Sequence, residues 1–567
     1  MFLYGKLRKL KKNEKIAERK QEILREKKVF VLDNSLREST VGQLRGHTIE
    51  NKWKIYEEIK KVGFKHFIVT SFSHMTRVGD TFIRQLAEKG EDFSTFYAFT
   101  EFIESVDSQT RIPDTETIPI GLKKMKELGI RNPIIEADLF YPSIDYKVFN
   151  VEAINRLFSQ RMRWVRENLS KDANIFINLR DIADAIINKP RRVFKVVKYL
   201  SSLPENQRPF GLIFEEPTGN YLPDQLAFWT AAVRKEMNEC GFQDGHLLVH
   251  IHEKWGMAQV SQLECLLNGA TGIWCSVCEE GAALGHASSS VTLLNLIRLG
   301  NKRVLKQYNC EQLRQAAQEV TRITTGCEPH PKQPVYGERA LDIVFDGMMG
   351  SSPDDDGFCM ATFFGQKPLM RMTTLASPRM IVERLQTLFG ENAQFTEEYA
   401  ERMREVMLKD LHEDRKEEYM SKVGLAILFD RSGGKLTEAM AKAIEDEKPK
   451  TIHGQNLIAE IRESWDEWDI RDGEKDDQLE FDAFYNGFMA PYFGCYRCEP
   501  TKRALKAIDM DQDGKVDWNE FSLYLKWAIR EYPDIKDSEE LLSVAFRKGL
   551  IPSMQDEILT EKGQTEA

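Results

Sequence analysis

From Val29 onward, short apolar runs alternate with longer amphipathic stretches. Val29–Asp33, Phe67–Thr70, Phe93–Phe99, Pro133–Phe140, Asn174–Asn178, Phe210–Phe214, His246–His252 and Gly272–Cys275 are strand-length runs rich in β-branched and aromatic residues. They predict buried strands. The intervening stretches carry apolar residues at helical spacing, as Ile55, Ile59 and Val62 do within Ile49–Val62. Helices are likewise expected over Asp80–Lys89, Thr117–Leu128, Val151–Leu169, Arg192–Leu203, Pro223–Glu239, Ala258–Leu267 and Val291–Leu299. Eight strands alternating with helices between residues 29 and 300 predict an α/β fold, a (β/α)8 TIM barrel. A doubly wound open sheet competes, but no G-x-G-x-x-G follows the first strand.

The flanks differ in character. Residues 1–28 form a Lys/Arg-rich segment with Glu14, Glu18, Glu22 and Glu26 at every fourth position, which predicts a charged helical extension. After the barrel, residues 301–430 read as a helical subdomain and 431–455, around Ser432-Gly-Gly434, as a linker. Residues 456–535 read as paired helix–loop–helix units, and 536–567 as a C-terminal helix and tail. The formal net charge of −10 argues against a nucleic-acid partner for the chain as a whole. No apolar run approaches the roughly 20 residues that span a bilayer. Nine scattered cysteines fit reduced thiols, Cys275-x-x-Cys278 and Cys495-x-x-Cys498 included, and a cytoplasmic location. The basic N-terminus keeps mitochondrial import as the alternative.

The chemistry gathers where the strands end, the face that carries active sites in such barrels. His250 and His252, at i and i+2 of a strand, share one face and can converge on a metal. Arg37 and Glu38 follow the first strand, Glu215-Glu216 end the sixth, and His286 follows the eighth.

Asp33-Asn-Ser-Leu-Arg37-Glu38 resembles the D-x-x-L-R-D signature of the metallo-barrel family of isopropylmalate synthase, homocitrate synthase and 3-hydroxy-3-methylglutaryl-CoA lyase. His250-Ile-His252, and Gly269-Ala270 through Gly285-His286-Ala-Ser288, follow two further family segments. The resemblance implies that Arg37 stabilises an enolate oxygen and that Glu38, His250, His252 and His286 bind a divalent metal, with His286 standing in for an asparagine. The imidazole-rich donor set favours zinc, manganese, iron or cobalt over magnesium. It further implies C–C bond making or breaking in a 2-oxo or hydroxy acid, with acyl-CoA a candidate partner and a homodimer a candidate assembly. Glu216 is the candidate general base. The family's glutamate on the second strand falls at Ile68, which keeps open a barrel that has lost catalysis.

Asp509-Met-Asp511-Gln-Asp513-Gly514-Lys515-Val516-Asp517-Trp-Asn-Glu520 fits the EF-hand calcium loop at each diagnostic position, with Lys515 contributing its carbonyl. A degenerate partner precedes it at residues 472–483, with Asp477 at the glycine position and Ala483 in place of the bidentate glutamate. The expected whole is a calcium-modulated lyase or synthase. The alternative is a non-catalytic calcium-binding regulator or scaffold.

Overall fold

The computed structural model describes the chain apart from residues 1, 38–47, 73–77, 282–283, 344–357, 367–368, 413–418, 420, 448–451, 473–475, 494–498, 510–511, 533–534, 536 and 546–567. The chain divides into two compact units, Met1–Leu369 and Met370–Ala567.

The first unit contains a closed barrel of eight strands: β1 Phe30–Asp33, β2 His66–Ser71, β3 Phe96–Glu101, β4 Asn132–Ala137, β5 Phe176–Leu179, β6 Gly211–Glu216, β7 His246–Ile251 and β8 Gly272–Cys275. Neighbours pair in parallel and β1 closes on β8, so every strand is buried on both faces and apolar on both. Leu32, Ile68, Tyr97, Phe99, Ile134, Phe176, Ile213, Leu248 and Trp274 fill the interior. The alternate residues, such as Val31, Leu212, Phe214 and Val249, join the larger core beneath the helices. One irregularity matters for the site. The pairing of β2 with β3 steps from Ile68↔Tyr97 to Thr70↔Ala98, a bulge that puts Ser71, opposite Phe99, on the interior side.

The helices fall where the periodicity puts them, with local differences. Phe93–Thr95 is a 3-10 turn ahead of β3, and β4 ends at Ala137 rather than Phe140. A helix at Ile182–Asn188 follows β5; its apolar stretch is too short to declare a period. Helix Leu313–Thr325 packs against Ile49–Lys61, so this part of the post-barrel stretch belongs to the barrel unit. The N-terminal helix Phe2–Glu26 is docked at its far end: Leu24 is buried, and Asn301 Nδ2 donates to the carbonyls of Leu24 (2.6 Å) and Lys27 (2.8 Å).

The second unit begins with helices Pro378–Phe389, Glu397–His412, Lys422–Arg431 and Glu438–Glu447. The last of these lies within the stretch expected as a linker. Two helix–loop–helix segments follow, joined by antiparallel pairing of Gln478–Glu480 with Lys515–Asp517, Leu479 opposite Val516. Trp465, Phe484, Phe488 and Phe521 form their shared core, and Leu541 and Leu542 of helix Ser538–Ala545 add to it. Among the described residues no helix is long and apolar enough to cross a membrane.

Candidate metal centre

Parity along the strands decides which polar side chains enter the barrel mouth. Leu248 points inward, so His250 and His252 do as well. His250 is buried, with its ring stacked on Trp274 at 3.9 Å between centroids and its Nδ1 2.8 Å from the Trp274 carbonyl. Burial, with His252 and His286 beside it, holds its pKa well below the ordinary histidine value, so the imidazole is neutral. A neutral ring that donates from Nδ1 carries its lone pair on Nε2, and this buried atom has no hydrogen-bond partner among the described residues.

The same parity on β6, where Ile213 faces inward, brings Glu215 and not Glu216 into the mouth. Glu215 Oε1 lies 3.6 Å from His252 Nε2, and ligand atoms of Glu215, His250 and His252 all fall within 4.8 Å of one another. His286 joins from the loop after β8. It bridges His252 through the backbone, and its ring lies 5.1 Å from that of His250. Its Nδ1 is 3.1 Å from the Ala287 carbonyl.

Glu216 requires a correction. Its carboxylate turns away from the mouth and accepts from Gly219 N (2.7 Å), Thr218 N (2.9 Å) and Thr218 Oγ1. This buried carboxylate, engaged by three donors, shapes the loop after β6. Glu38 lies outside the described residues.

Other inward groups complete the mouth. Asn178 Nδ2 donates to both Glu215 (2.5 Å) and Glu136 (3.1 Å). Arg180 pairs with Glu136 and Asp138, and Glu101 stands 3.7 Å from it at the solvent edge. The Glu136 pKa is raised, first by burial and then by Glu215. On the opposite wall, Asp33 closes the turn after β1 by accepting from Ser35 N and Oγ, each at 3.0 Å. Burial pushes Asp33 up to about 7, against those two bonds. The turn places the Arg37 guanidinium 4.3 Å above the Phe99 ring, with Nε donating to Ser71 Oγ at 2.7 Å. The β2 bulge is what makes Ser71 available for this bond.

In the second unit, Asp509 Oδ2 accepts from Gly514 N (3.2 Å) and Asp513 Oδ1 from Lys515 N (2.8 Å). Gly514 has φ +90°, a left-handed conformation that glycine adopts without strain. Asp509 Oδ1 is buried and has no hydrogen-bond partner among the described residues. Asp517 and Glu520 cap the following helix reciprocally, at 2.7 and 2.9 Å. Asp511 lies outside the described residues. In the partner loop, Asp469 accepts from Asp476 N (3.3 Å) and Asp477 N (3.1 Å), the task Asp509 performs opposite. The residue expected there, Asp472, instead belongs to the helix Ile452–Asp472. Arg462 pairs with Asp466 (2.8 Å) and Asp477, so a guanidinium supplies positive charge beside that loop. Cys275 and Cys278 are buried free thiols.

No family model matches the sequence, and no curated protein matches it either. Among solved structures, the chain is similar to the HMG-CoA lyase of Brucella melitensis (14% identity, 53% of this chain and 99% of that one, TM-score 0.39). Hydroxymethylglutaryl-CoA lyase from Pseudomonas aeruginosa gives 15% identity over 53% of this chain and 94% of the other, TM-score 0.38. The carboxyl transferase domain of Rhizobium etli pyruvate carboxylase gives 11% identity over 95% and 78%, TM-score 0.39. At these values the likeness is not itself evidence of an activity, and the chemistry rests on the side chains described above.

Proposed function

We propose that the barrel is a divalent-metal enzyme that makes or breaks a C–C bond in a 2-oxo or hydroxy acid, with an acyl-CoA as a candidate co-substrate. We further propose that the second unit binds calcium and modulates it. The observation that carries the first reading is His250 Nε2, a buried lone pair with no hydrogen-bond partner, facing Glu215 and His252. Glu215, His250 and His252 would hold the metal, with His286 beside them a further candidate; Glu38 is a candidate from the sequence alone. Imidazole and carboxylate donors together suit zinc, manganese, iron or cobalt. Bound there, the metal supplies Lewis-acid polarisation of the substrate oxygens.

The remaining work falls to the chain. Arg37 is permanently charged and planar, and Phe99 and Ser71 fix its plane, so it can hold an enolate oxygen as negative charge develops. Glu101 takes the proton-acceptor role in place of Glu216. It stands at the lip of the mouth with its side chain 58% exposed, 3.7 Å from Arg180. Asn178 holds Glu215 in place through its side-chain amide.

The calcium reading is supported by the loop sequence 509–520, by Gly514 and by the buried Asp509 Oδ1. A second reading, a barrel that binds metal without turnover, is favoured by Ile68. It sits fully buried among the apolar side chains of the barrel interior, where the resemblance calls for a glutamate.

The test is metal analysis of the purified chain, then assay of 2-oxo and hydroxy acids, with and without acyl-CoA and calcium. The enzyme reading expects stoichiometric transition metal and turnover, both reduced in His250→Ala. Unchanged metal content and unchanged turnover in that variant would overturn it. Metal binding without turnover on any acid selects the second reading.

A further inference from the structure

The opposite end of the barrel holds a cavity of about 1060 Å³ beneath the strand starts. Phe30 opens β1 there, His246 opens β7, and Thr271 precedes β8. His250 lies four residues further along β7, roughly 13 Å at strand rise, so this cavity is separate from the metal centre.

Its lining is cationic. Arg25, Lys28, Lys302, Arg303 and Lys306 contribute to it, and Glu26 is the acid among the lining residues. Glu26 is taken by Arg303 at 2.7 Å. Arg25 gives its Nε to the Leu299 carbonyl (3.2 Å). Among the described residues, no carboxylate lies within ion-pair distance of Arg25, Lys28, Lys302 or Lys306. In a chain of net charge −10, four uncompensated cations around one concavity form a local field that draws a polyanion.

The floor is aromatic. The Phe30 ring lies 4.4 Å from His66 and 4.5 Å from His246, and His246 lies 4.7 Å from Phe210. Burial holds both imidazoles near 4, with His246 adding to the effect on His66 and Arg234 to that on His246. The floor is therefore uncharged at neutral pH. Phe30 and His246 are both partly exposed. The His246 Nδ1 and Thr271 Oγ1 edge, 3.3 Å apart, offers polar groups beside the ring faces. Flat uncharged rings ringed by cations suit a ligand with a heteroaromatic base and several phosphates.

We propose that this cavity binds a nucleotide carrying two or more phosphates, with its base against Phe30 and His246 and its phosphates against Lys28, Lys302, Lys306 and Arg25. A free nucleoside triphosphate and a nucleotide-bearing coenzyme share this chemistry. The inference does not depend on the metal-centre reading.

The test is calorimetric titration of the full chain with metal-free ATP, coenzyme A and inorganic triphosphate. The variants are Lys302→Glu/Lys306→Glu and His250→Ala. Both lysines are exposed, so the double variant should fold, which its circular dichroism melt checks. Saturable nucleotide binding is expected, weakened at least tenfold in the double variant and unchanged in His250→Ala. Inorganic triphosphate should bind at least tenfold more weakly than ATP. Whichever of ATP and coenzyme A binds more tightly identifies the source. No saturable binding, or equal affinity in the double variant, overturns the site. Triphosphate binding as tightly as ATP overturns the aromatic floor, and loss in His250→Ala places the ligand at the other mouth.

Discussion

Replacing His250 with phenylalanine separates its role as a ligand from its role as a packed ring. Phenylalanine keeps a flat ring against Trp274, where the imidazole now stacks at 3.9 Å. Two energetic terms then change in opposite directions. The Trp274 carbonyl loses its bond from Nδ1, a cost of roughly 1–3 kcal/mol for a buried polar group left unmet. The buried Nε2, itself unmet, disappears, which returns a similar amount. Metal-free His250→Phe should therefore lie within about 2 kcal/mol of the parent. With metal at a hundredfold excess over its dissociation constant, the parent gains about 2.7 kcal/mol and the variant almost none. An unfolding entropy of about 2.1 cal/mol/K per residue over the 369 residues of the barrel unit gives about 0.8 kcal/mol/K. The parent's melting midpoint should then rise by about 3 °C. Calorimetric melts with and without manganese or zinc, at one fixed calcium concentration throughout, measure this directly. An equal metal-induced rise in His250→Phe would refute the ligand assignment.

Three further outcomes follow from other residues. Arg37→Lys keeps the charge but loses the planar fork above Phe99, and should lower turnover about a hundredfold in the oxo-acid assay. Lys52 is fully buried, with Nζ 2.5 Å from the Leu36 carbonyl, and burial lowers it to about 7. The native state thus favours the neutral amine. The penalty is full below pH 7 and shrinks as pH rises toward 10.5, while only the unfolded chain stays protonated, by about 1.4 kcal/mol per unit. Urea unfolding at pH 7 and pH 9 should show the parent gaining roughly 2–3 kcal/mol relative to Lys52→Met over that interval. Glu520→Gln should weaken calcium binding at least about tenfold, since the twelfth loop position supplies a bidentate ligand; equal calorimetric affinity would contradict the loop assignment.

The barrel was legible because parallel strands, buried on both faces, read as apolar runs between amphipathic helices. The same property hid part of the site. In Gly211-Leu-Ile-Phe-Glu215-Glu216 both faces are apolar, so the pattern does not say which glutamate enters the mouth. That depends on pairing, with Glu215 opposite His250 and Glu216 opposite Ile251. His250 and His252 escaped the ambiguity because two like residues at i and i+2 share a face whichever way the strand turns. Asp469 was missed for a different reason. It sits inside a helix three residues before the expected loop, and only the helix running on to Asp472 brings it to the backbone of Asp476 and Asp477. The role of Ser71 rests on a one-residue bulge, which leaves no mark in composition or period.

The seam between β1 and β8 has a consequence for synthesis. Strand β1 can pair with β2 early, but its other edge waits for Gly272–Cys275, and the clamp on Leu24 and Lys27 waits for Asn301. At roughly 5–20 residues per second, that interval lasts on the order of 12–50 s. Throughout it, the growing chain carries β1 with one strand edge open. The last portion of the barrel to leave the ribosome is therefore the portion that seals it.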